Sequence, residues 1–172
     1  KFSINQKDLQ EALSYCQGVI EKRSTLQILS NVLLDANNSK LTITATDLDL
    51  IFINEINDVE VIEEGKTTTT SSTLYDIIRK FSSGKKINFN ITTENKIQLE
   101  SQKSVFNLNC MSADEFPLME ENFTENEFVL KSKQFLKLLS KCKFSISTDE
   151  TRHYLSGIYF HQTQVDDKHY LT

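Results

Sequence analysis

An internal repeat constrains this chain more than any other feature of its sequence. Residues 1–16 align without a gap to residues 127–142, which lie 126 positions later. The identical pairs are Phe2/Phe128, Lys7/Lys133, Leu13/Leu139, Ser14/Ser140 and Cys16/Cys142. The alignment continues from Leu29-Ser30-Asn31-Val32 to Leu155-Ser156-Gly157-Ile158 at the same spacing, and from residues 40–44 to residues 168–172 after a shift of two. Because these matches keep a common order, they indicate two copies of one structural unit.

The repeat also predicts the domain organisation. The first copy occupies residues 1–118, an interdomain linker occupies residues 119–126, and the second copy begins at residue 127. The linker follows Pro117 and lies in an acidic stretch, as expected of a segment that joins domains. Since only 46 residues remain after it, we expect the second copy to be truncated and the chain to be a fragment of a longer polypeptide.

Apolar periodicity predicts that each copy begins with a strand, continues with a helix and then returns to strands. In the first copy we predict helices near residues 6–17 and 73–81. We predict strands near residues 1–4, 29–35, 40–45, 49–55, 58–61, 66–70, 86–92, 95–101 and 104–110. Turn-forming residues at 37–39, 82–84 and 93–95 separate several of these segments.

The charge of the chain is unevenly distributed. The net charge is −5 and the isoelectric point is about 5.3, which at first disfavours binding to phosphates. Residues 1–126 nevertheless carry 12 basic and 19 acidic side chains, whereas residues 127–172 carry 7 and 5. Any surface that binds a polyanion is therefore expected to be local.

Cysteine usage and hydropathy favour a reducing cytoplasm. Cys16, Cys110 and Cys142 are odd in number and widely spaced, so they predict neither a disulfide framework nor a zinc site. Cys16 and Cys142 lie on apolar helix faces, where we expect buried, inert thiols. No stretch is apolar enough to span a membrane, and no secretory signal is apparent.

The helix of the second copy carries a stripe of three lysines. Lys133, Lys137 and Lys141 recur every four residues and so share one face, while apolar side chains from residue 135 to 142 occupy the other. We expect the apolar face to pack on a sheet and the ammonium groups to face solvent or a polyanion. A simple solvated face is the alternative interpretation.

Two arginines have structural as well as binding interpretations. Arg79 ends the second predicted helix, where a cation complements the unpaired carbonyls of the helix terminus. Arg23 lies in the loop after the first helix, where exposure or an ion pair would equally explain it.

The usual signatures of catalysis or metal binding are missing from the sequence. Four scattered glycines cannot build a phosphate-binding loop. His153, His161 and His169 are spaced by eight residues, which fits no common metal site. Asp47 and Asp49 are predicted to share one face of a strand, with Asp47 stabilising a turn, so no catalytic role, cofactor or metal is expected.

Several short motifs taken together carry a resemblance to a known family. They are Lys1-Phe2-Ser3-Ile4, Arg23-Ser24-Thr25-Leu26-Gln27-Ile28-Leu29, Thr44-Ala45-Thr46-Asp47-Leu48, Asp114-Glu115-Phe116-Pro117 and Arg152-His153-Tyr154-Leu155-Ser156-Gly157. In this order and spacing the chain resembles the bacterial beta clamp, the beta subunit of DNA polymerase III, along its whole length. The resemblance implies an α+β DNA clamp fold, in which repeated domains place antiparallel sheets outside and pack helices on the inner face.

The resemblance also implies a function. In that family two subunits of three domains close head to tail into a ring around double-stranded DNA. The ring acts as a non-catalytic processivity factor that tethers the replicative polymerase, the clamp loader and repair proteins. A wide hole lined by solvated cations would reconcile a negative total charge with a DNA partner. The alternative is an interaction module that uses the same repeat to bind proteins without encircling DNA.

Site residues follow from the resemblance position by position. Besides the lysine stripe, the residues expected to face DNA are Arg23, Arg79, Asp149, Arg152, His153 and Tyr154. His153 stands where the family often has tyrosine, which weakens the expectation of stacking at that position but not at Tyr154. For Tyr154 and Leu155, ordinary packing at the start of a strand is the competing interpretation.

Two further sets of positions concern protein contacts. Phe106 and Leu108 match apolar residues of the subunit interface, with core packing as the alternative, while Thr73 replaces a lysine found in some relatives, so no ion pair is expected there. Leu155 matches one position of the cleft that receives partner peptides, and the rest of that cleft would lie beyond residue 172. We therefore expect the fragment to be monomeric and to bind such peptides poorly.

Overall fold

The computed structural model describes residues 1–20, 26–92, 95–118, 129–149, 151–166 and 168–171. The chain forms two compact units, Lys1–Glu121 and Asn122–Thr172. The predicted linker, residues 119–126, lies outside the described residues, so its bounds stay a prediction.

The first unit has the helices and strands that its apolar pattern predicts. Its helices are α1 (Gln6–Cys16) and α2 (Ser71–Ile78). Its strands are β1 (Phe2–Asn5), β2 (Asn31–Asn37), β3 (Lys40–Thr46), β4 (Ile51–Ile56), β5 (Glu60–Val61), β6 (Gly65–Thr70), β7 (Lys86–Thr92), β8 (Lys96–Ser101) and β9 (Ser104–Met111). Short 3-10 helices span Gln27–Ser30 and Ala113–Glu115.

These strands form one antiparallel sheet in the order β4-β3-β2-β6-β9-β8-β7-β1-β5. β6 and β9 pair at only two positions, Thr68 with Met111 and Thr69 with Cys110. By contrast, β2 and β6 pair over six positions. The sheet therefore has two well-paired halves joined by a short seam.

The apolar face of α1 lies in the core of this unit. Leu9, Leu13 and Cys16 are fully buried, and their spacing of four and three residues places them on one side of the helix. They belong to one cluster with the alternating apolar residues of β2 and β3 and with Leu74 and Ile78 of α2. Burying each such leucine contributes roughly 1.5–3 kcal/mol, so this face fixes the helix on the sheet.

Hydrogen bonds set the ends of α1 and connect it to α2. Asn5 caps the helix by accepting from the Lys7 amide at 2.9 Å. The buried side chain of Gln6 donates from Nε2 to the carbonyl of Ile78 at 2.9 Å. Gln17 donates in the same way to Oγ of Ser71 at 2.8 Å. The two helices are thus linked near both ends of α2.

The Thr46-Asp47 motif forms a turn between β3 and β4. Oδ1 of Asp47 accepts from the amides of Asp49 at 3.0 Å and of Leu50 at 2.7 Å. Oγ1 of Thr46 donates to the carbonyl of Leu50 at 2.8 Å. The predicted turn role of Asp47 is confirmed, but the prediction that Asp47 and Asp49 lie on a strand is wrong, because these bonds hold them in the turn.

In the second unit the repeat is visible in the helix and hairpin positions. Its elements are α3 (Ser132–Cys142), 3-10 helices at Lys143–Ser145 and His153–Leu155, and the antiparallel pair β10 (Gln162–Val165) and β11 (Lys168–Leu171). Both ends of α3 lie 126 residues after those of α1. The pairing of Gln162 with Leu171 repeats that of Leu34 with Ile43 after 128 residues.

The turns of the two hairpins repeat as well. Asn38, in the β2–β3 turn, has a φ of 47°, and Asp166, 128 residues later, has the same value. Asparagine and aspartate enter this left-handed region more readily than most residues because their side chains bond locally. The offset of two between helix and hairpin therefore reflects two extra residues before the second hairpin.

The described residues of the second unit depart from the sequence-based expectations and alternatives at four points. Residues 129–131 form no strand, and Leu155 lies in a 3-10 helix instead of starting one. α3 has no buried residue, so its apolar face does not pack on a sheet as predicted. Cys142 is consequently exposed, whereas its equivalent Cys16 is buried. Cys16 and Cys142 differ in burial because α2 and β4 pack against α1. Among the described residues of the second unit, no helix or strand packs against α3 in the same way.

Candidate nucleic-acid interface

Arg79 follows the last turn of α2 and extends into solvent. Its amide donates to the Tyr75 carbonyl at 3.0 Å, which continues the helical hydrogen bonding. Leu74 and Ile78 bury the opposite face of the helix. The guanidinium Nε lies 3.2 Å from Oδ1 of Asp76, and both side chains are about half exposed. Arg79 is therefore accessible to a polyanion but already holds a carboxylate partner.

The exposed face of α1 carries mixed charge. Lys7, Asp8 and Glu11 are exposed, as is Tyr15, whose hydroxyl donates to Oε1 of Glu11 at 3.3 Å. A single lysine next to two carboxylates gives this face little attraction for phosphates. Of the two linked helices in the first unit, α2 thus supplies the stronger candidate through Arg79.

A compact loop presents Arg152 and Tyr154 in the second unit. The loop is closed at its base, where the amide of Ser147 donates to the carbonyl of Leu155 at 2.9 Å. Inside it, Oδ1 of Asp149 accepts from the amide of Thr151 at 3.0 Å and from its hydroxyl at 2.6 Å. These bonds from Thr151 lower the pKa of Asp149 below its ordinary value. Asp149 thus organises the turn that precedes Arg152.

The side chains of this loop remain accessible. Nε of Arg152 lies 3.5 Å from Oδ2 of Asp149, and Tyr154 is 82% exposed. The structure brings Asp149 and Arg152 together, as their spacing of three residues allows. The competing interpretation for Tyr154, packing at a strand start, does not hold, because this residue protrudes from a 3-10 helix. Its predicted contact with DNA stays a prediction.

The lysine stripe of α3 is exposed along its length, since Lys133, Lys137 and Lys141 all face solvent. The apolar side of the same helix is only partly covered: Phe135 contacts Phe160 with ring centroids 5.8 Å apart, but Leu136 is 63% exposed. Because apolar side chains of α3 are exposed as well, exposure alone does not identify the lysine face as a binding surface. Arg23 and the side chain of His153 lie outside the described part of the chain.

The residues predicted at a subunit interface are found around β9. Leu108 is buried in the core, in line with the alternative interpretation, and also lines a shallow groove of about 220 Å³ with Thr73. Phe106 is partly exposed and packs edge-on against Phe81, with centroids 5.6 Å apart. From Ser104 to Asn109, β9 pairs with β8 but with no other strand among the described residues. Thr73 and Leu108 thus lie next to an open sheet edge.

Leu155 is partly exposed in its 3-10 helix. It does not line the apolar depression of the second unit, which Leu130, Ser132, Phe135, Leu136, Phe160 and Leu171 form. Its predicted role in a peptide cleft therefore stays a prediction.

Cys16 is a poor nucleophile, and the described residues contain no cluster of potential metal ligands. Burial raises the pKa of Cys16 to about 12, so its thiol stays protonated near neutral pH. No group of three or more potential metal ligands is found within the described ranges. Among the described helices, none combines the length and hydropathy required to cross a membrane.

Sequence reasoning missed two residues that shape the candidate contacts. Asp76 pairs with Arg79, and Thr151 holds the carboxylate of Asp149. The signal for the first was present, because an acid three residues before an arginine on a helix lies within reach of it. The second depended on a loop conformation that spacing alone does not determine.

The repeated helices and the antiparallel sheet place the chain in the DNA clamp fold class. The chain belongs to the DNA polymerase III beta subunit family, since residues 1–120 match the model of that family's N-terminal domain. The resemblance and the α+β clamp fold predicted from the sequence are both confirmed.

Individual relatives agree with this assignment. The beta sliding clamp of Caulobacter vibrioides is 35% identical over 162 residues, which cover 94% of this chain and 43% of the relative. That of Escherichia coli K12 is 30% identical over 160 residues, covering 93% and 43%. This chain spans less than half the length of either.

Solved structures agree as well. A crystal structure of the C. crescentus beta sliding clamp superposes with a TM-score of 0.94 and 33% identity, covering 99% of this chain and 45% of that one. The Bartonella birtlesii DnaN sliding clamp bound to griselimycin gives a TM-score of 0.93 and 35% identity, with the same coverage.

Proposed function

We propose that this chain is the N-terminal part of a ring-forming sliding clamp that encircles duplex DNA and tethers a replicative polymerase. The observation that carries the proposal is the repeat: α3 restarts the α1 pattern after 126 residues within a chain of the beta clamp family. Repeated domains of one fold are the units from which a closed ring can be assembled. The complete subunit would supply the rest of the ring.

The proposed contacts with DNA are few and cationic. In the first unit they involve Arg79 and, from sequence resemblance, Arg23; in the second they involve Arg152, Tyr154 and the α3 lysine stripe. Exposed cations that do not read bases give binding that depends on salt and not on sequence. Such contacts are compatible with a total charge of −5, because only the inner surface has to attract phosphates.

We further propose that the open edge of β9 joins a partner subunit in a homodimeric ring. Its free backbone groups can accept a strand, and the exposed part of Phe106 lies beside them. We expect the fragment alone to be a monomer and the complete protein to be a non-catalytic, cytoplasmic accessory subunit without a cofactor. Clamp loader and repair proteins would then bind elsewhere on the complete ring.

The test compares topological with electrostatic binding. The complete subunit is loaded by its clamp loader onto nicked circular DNA and onto the same DNA after linearisation, and both are washed in salt that abolishes phosphate contacts. We expect retention on the circle and loss from the linear molecule. Equal loss from both would refute encirclement and favour the alternative, a non-encircling module that binds proteins.

A further inference from the structure

Both arginines that we propose as DNA contacts within the described residues have an acidic partner three residues earlier. Arg79 contacts Asp76, and Arg152 contacts Asp149, in each case through Nε at 3.2 and 3.5 Å. The two pairs lie in different units and in different local structures, one at a helix end and one in a loop. The same arrangement therefore occurs twice without a shared secondary structure.

Each pair leaves its arginine only partly available to a phosphate. A guanidinium has five N–H donors, and a carboxylate on Nε leaves the two terminal amino groups free. The side chains of Asp76 and Asp149 are 56% and 45% exposed, so an approaching phosphate meets their negative charge as well as the arginine. The carboxylate both competes for the guanidinium and repels the DNA backbone.

We propose that Asp76 and Asp149 attenuate the grip of Arg79 and Arg152 on DNA. This inference rests on the proposed function, and it assigns the two aspartates a role in how strongly a clamp holds the duplex it encircles. A ring that is linked topologically to DNA does not need tight phosphate contacts to stay bound. Weak contacts instead lower the barrier to movement along the duplex, which a processivity factor requires.

Asparagine substitutions separate this role from a structural one. Asp149→Asn keeps an oxygen that can accept from Thr151, and so preserves the turn while removing the charge. Asp76→Asn likewise removes a negative charge while keeping the shape of the side chain, here on the exposed face of α2. Glu55→Gln is a matched control, since Glu55 forms an exposed ion pair with Lys40 at 3.0 Å and is 55% exposed, but lies on β4, away from both arginines in sequence.

The experiment measures binding of the complete subunit to a labelled duplex by fluorescence anisotropy over a range of salt. Asp76→Asn and Asp149→Asn should each tighten binding by roughly 2- to 5-fold, the range of exposed ion pairs. Each substitution should also steepen the slope of log affinity against log salt concentration by up to about one, which corresponds to about one more released counterion. Glu55→Gln should change the affinity by less than about 1.5-fold, because its charge is not coupled to a DNA contact.

Double-mutant cycles decide whether the aspartates act through their arginines. In an Arg79→Ala background, Asp76→Asn should lose its effect, and Asp149→Asn should lose its effect with Arg152→Ala. An undiminished gain in those backgrounds, or an equal gain from Glu55→Gln, would mean general electrostatics and overturn the proposal. If the arginine variants weaken binding but the asparagine variants change nothing, attenuation is wrong while the DNA site stands. If the arginine variants change nothing, the proposed DNA site itself fails.

Discussion

Replacing Leu13 by alanine should destabilise the first unit strongly. The Leu13 side chain is fully buried on α1, within the core cluster. Three carbons are lost, and at about 0.8 kcal/mol for each buried methylene the transfer contribution is about 2.4 kcal/mol. The cavity left behind adds to this, so the total should fall in the range of about 2–5 kcal/mol seen for buried leucines.

The repeat provides a matched control for this substitution. Leu139 is the equivalent residue of α3, but it is only partly buried in its unit. Leu139→Ala makes the same chemical change at the same helical position, and alanine favours the helix equally in both. In the 172-residue chain it should cost about 1 kcal/mol or less, because less apolar surface returns to water.

Urea denaturation followed by far-UV circular dichroism, with hydrogen exchange of peptides from α1 and α3, measures the two effects separately. With a denaturant dependence of about 2 kcal/mol per molar, Leu13→Ala should lower the midpoint of the first unit by roughly 1–2.5 M. If the two variants lose equal stability, then burial does not distinguish the two copies, and the reasoning from the core of α1 is refuted.

Two further predictions concern single side chains. In the native 172-residue chain at neutral pH, a thiol reagent should modify the exposed Cys142 rapidly and Cys16 only after unfolding, since burial raises the Cys16 pKa to about 12. Labelling followed by peptide mass spectrometry measures the order of modification, and the opposite order would contradict the burial of Cys16. Thr151→Val should raise the pKa of Asp149, because it removes the first of the bonds that lower it. A carboxyl group whose pKa is lowered by folding stabilises the loop at pH values above its ordinary pKa, and this stabilisation is lost as the pH falls through the pKa of the folded state. The loop of the variant should therefore lose order at a higher pH than the loop of the original chain. NMR titration of the Asp149 carboxyl measures this pKa, and an unchanged pKa in the variant would contradict the prediction.

The sequence determined the elements of the first unit because each carries its own local signal. Leu9, Leu13 and Cys16 repeat with helical spacing, and the alternation in β2 and β3 assigns one face of each strand to the core. The same signal in α3 predicted an apolar face correctly but not its burial, since periodicity identifies which side of a helix is apolar and not what covers it.

The candidate site was less predictable for a related reason. Arg79 and Arg152 came from family resemblance, while their engagement with Asp76 and Asp149 depends on the directions of exposed side chains. Thr151 was missed because its hydroxyl matters only in the particular turn that Asp149 forms. Loop conformations of this kind depend on several weak bonds at once, and no single residue pattern specifies them.

The open edge of β9 also has a consequence for handling the protein. From Ser104 to Leu108 this strand pairs with β8 alone among the described strands, so its other side is an open edge, beside the partly exposed Val105 and Phe106. Such an edge is a template for uncontrolled strand addition between molecules. Preparations of the isolated chain, which we expect to be monomeric when dilute, should therefore aggregate non-specifically at high concentration, and Val105→Lys, which places a charge on that edge, should suppress this aggregation without disturbing the core.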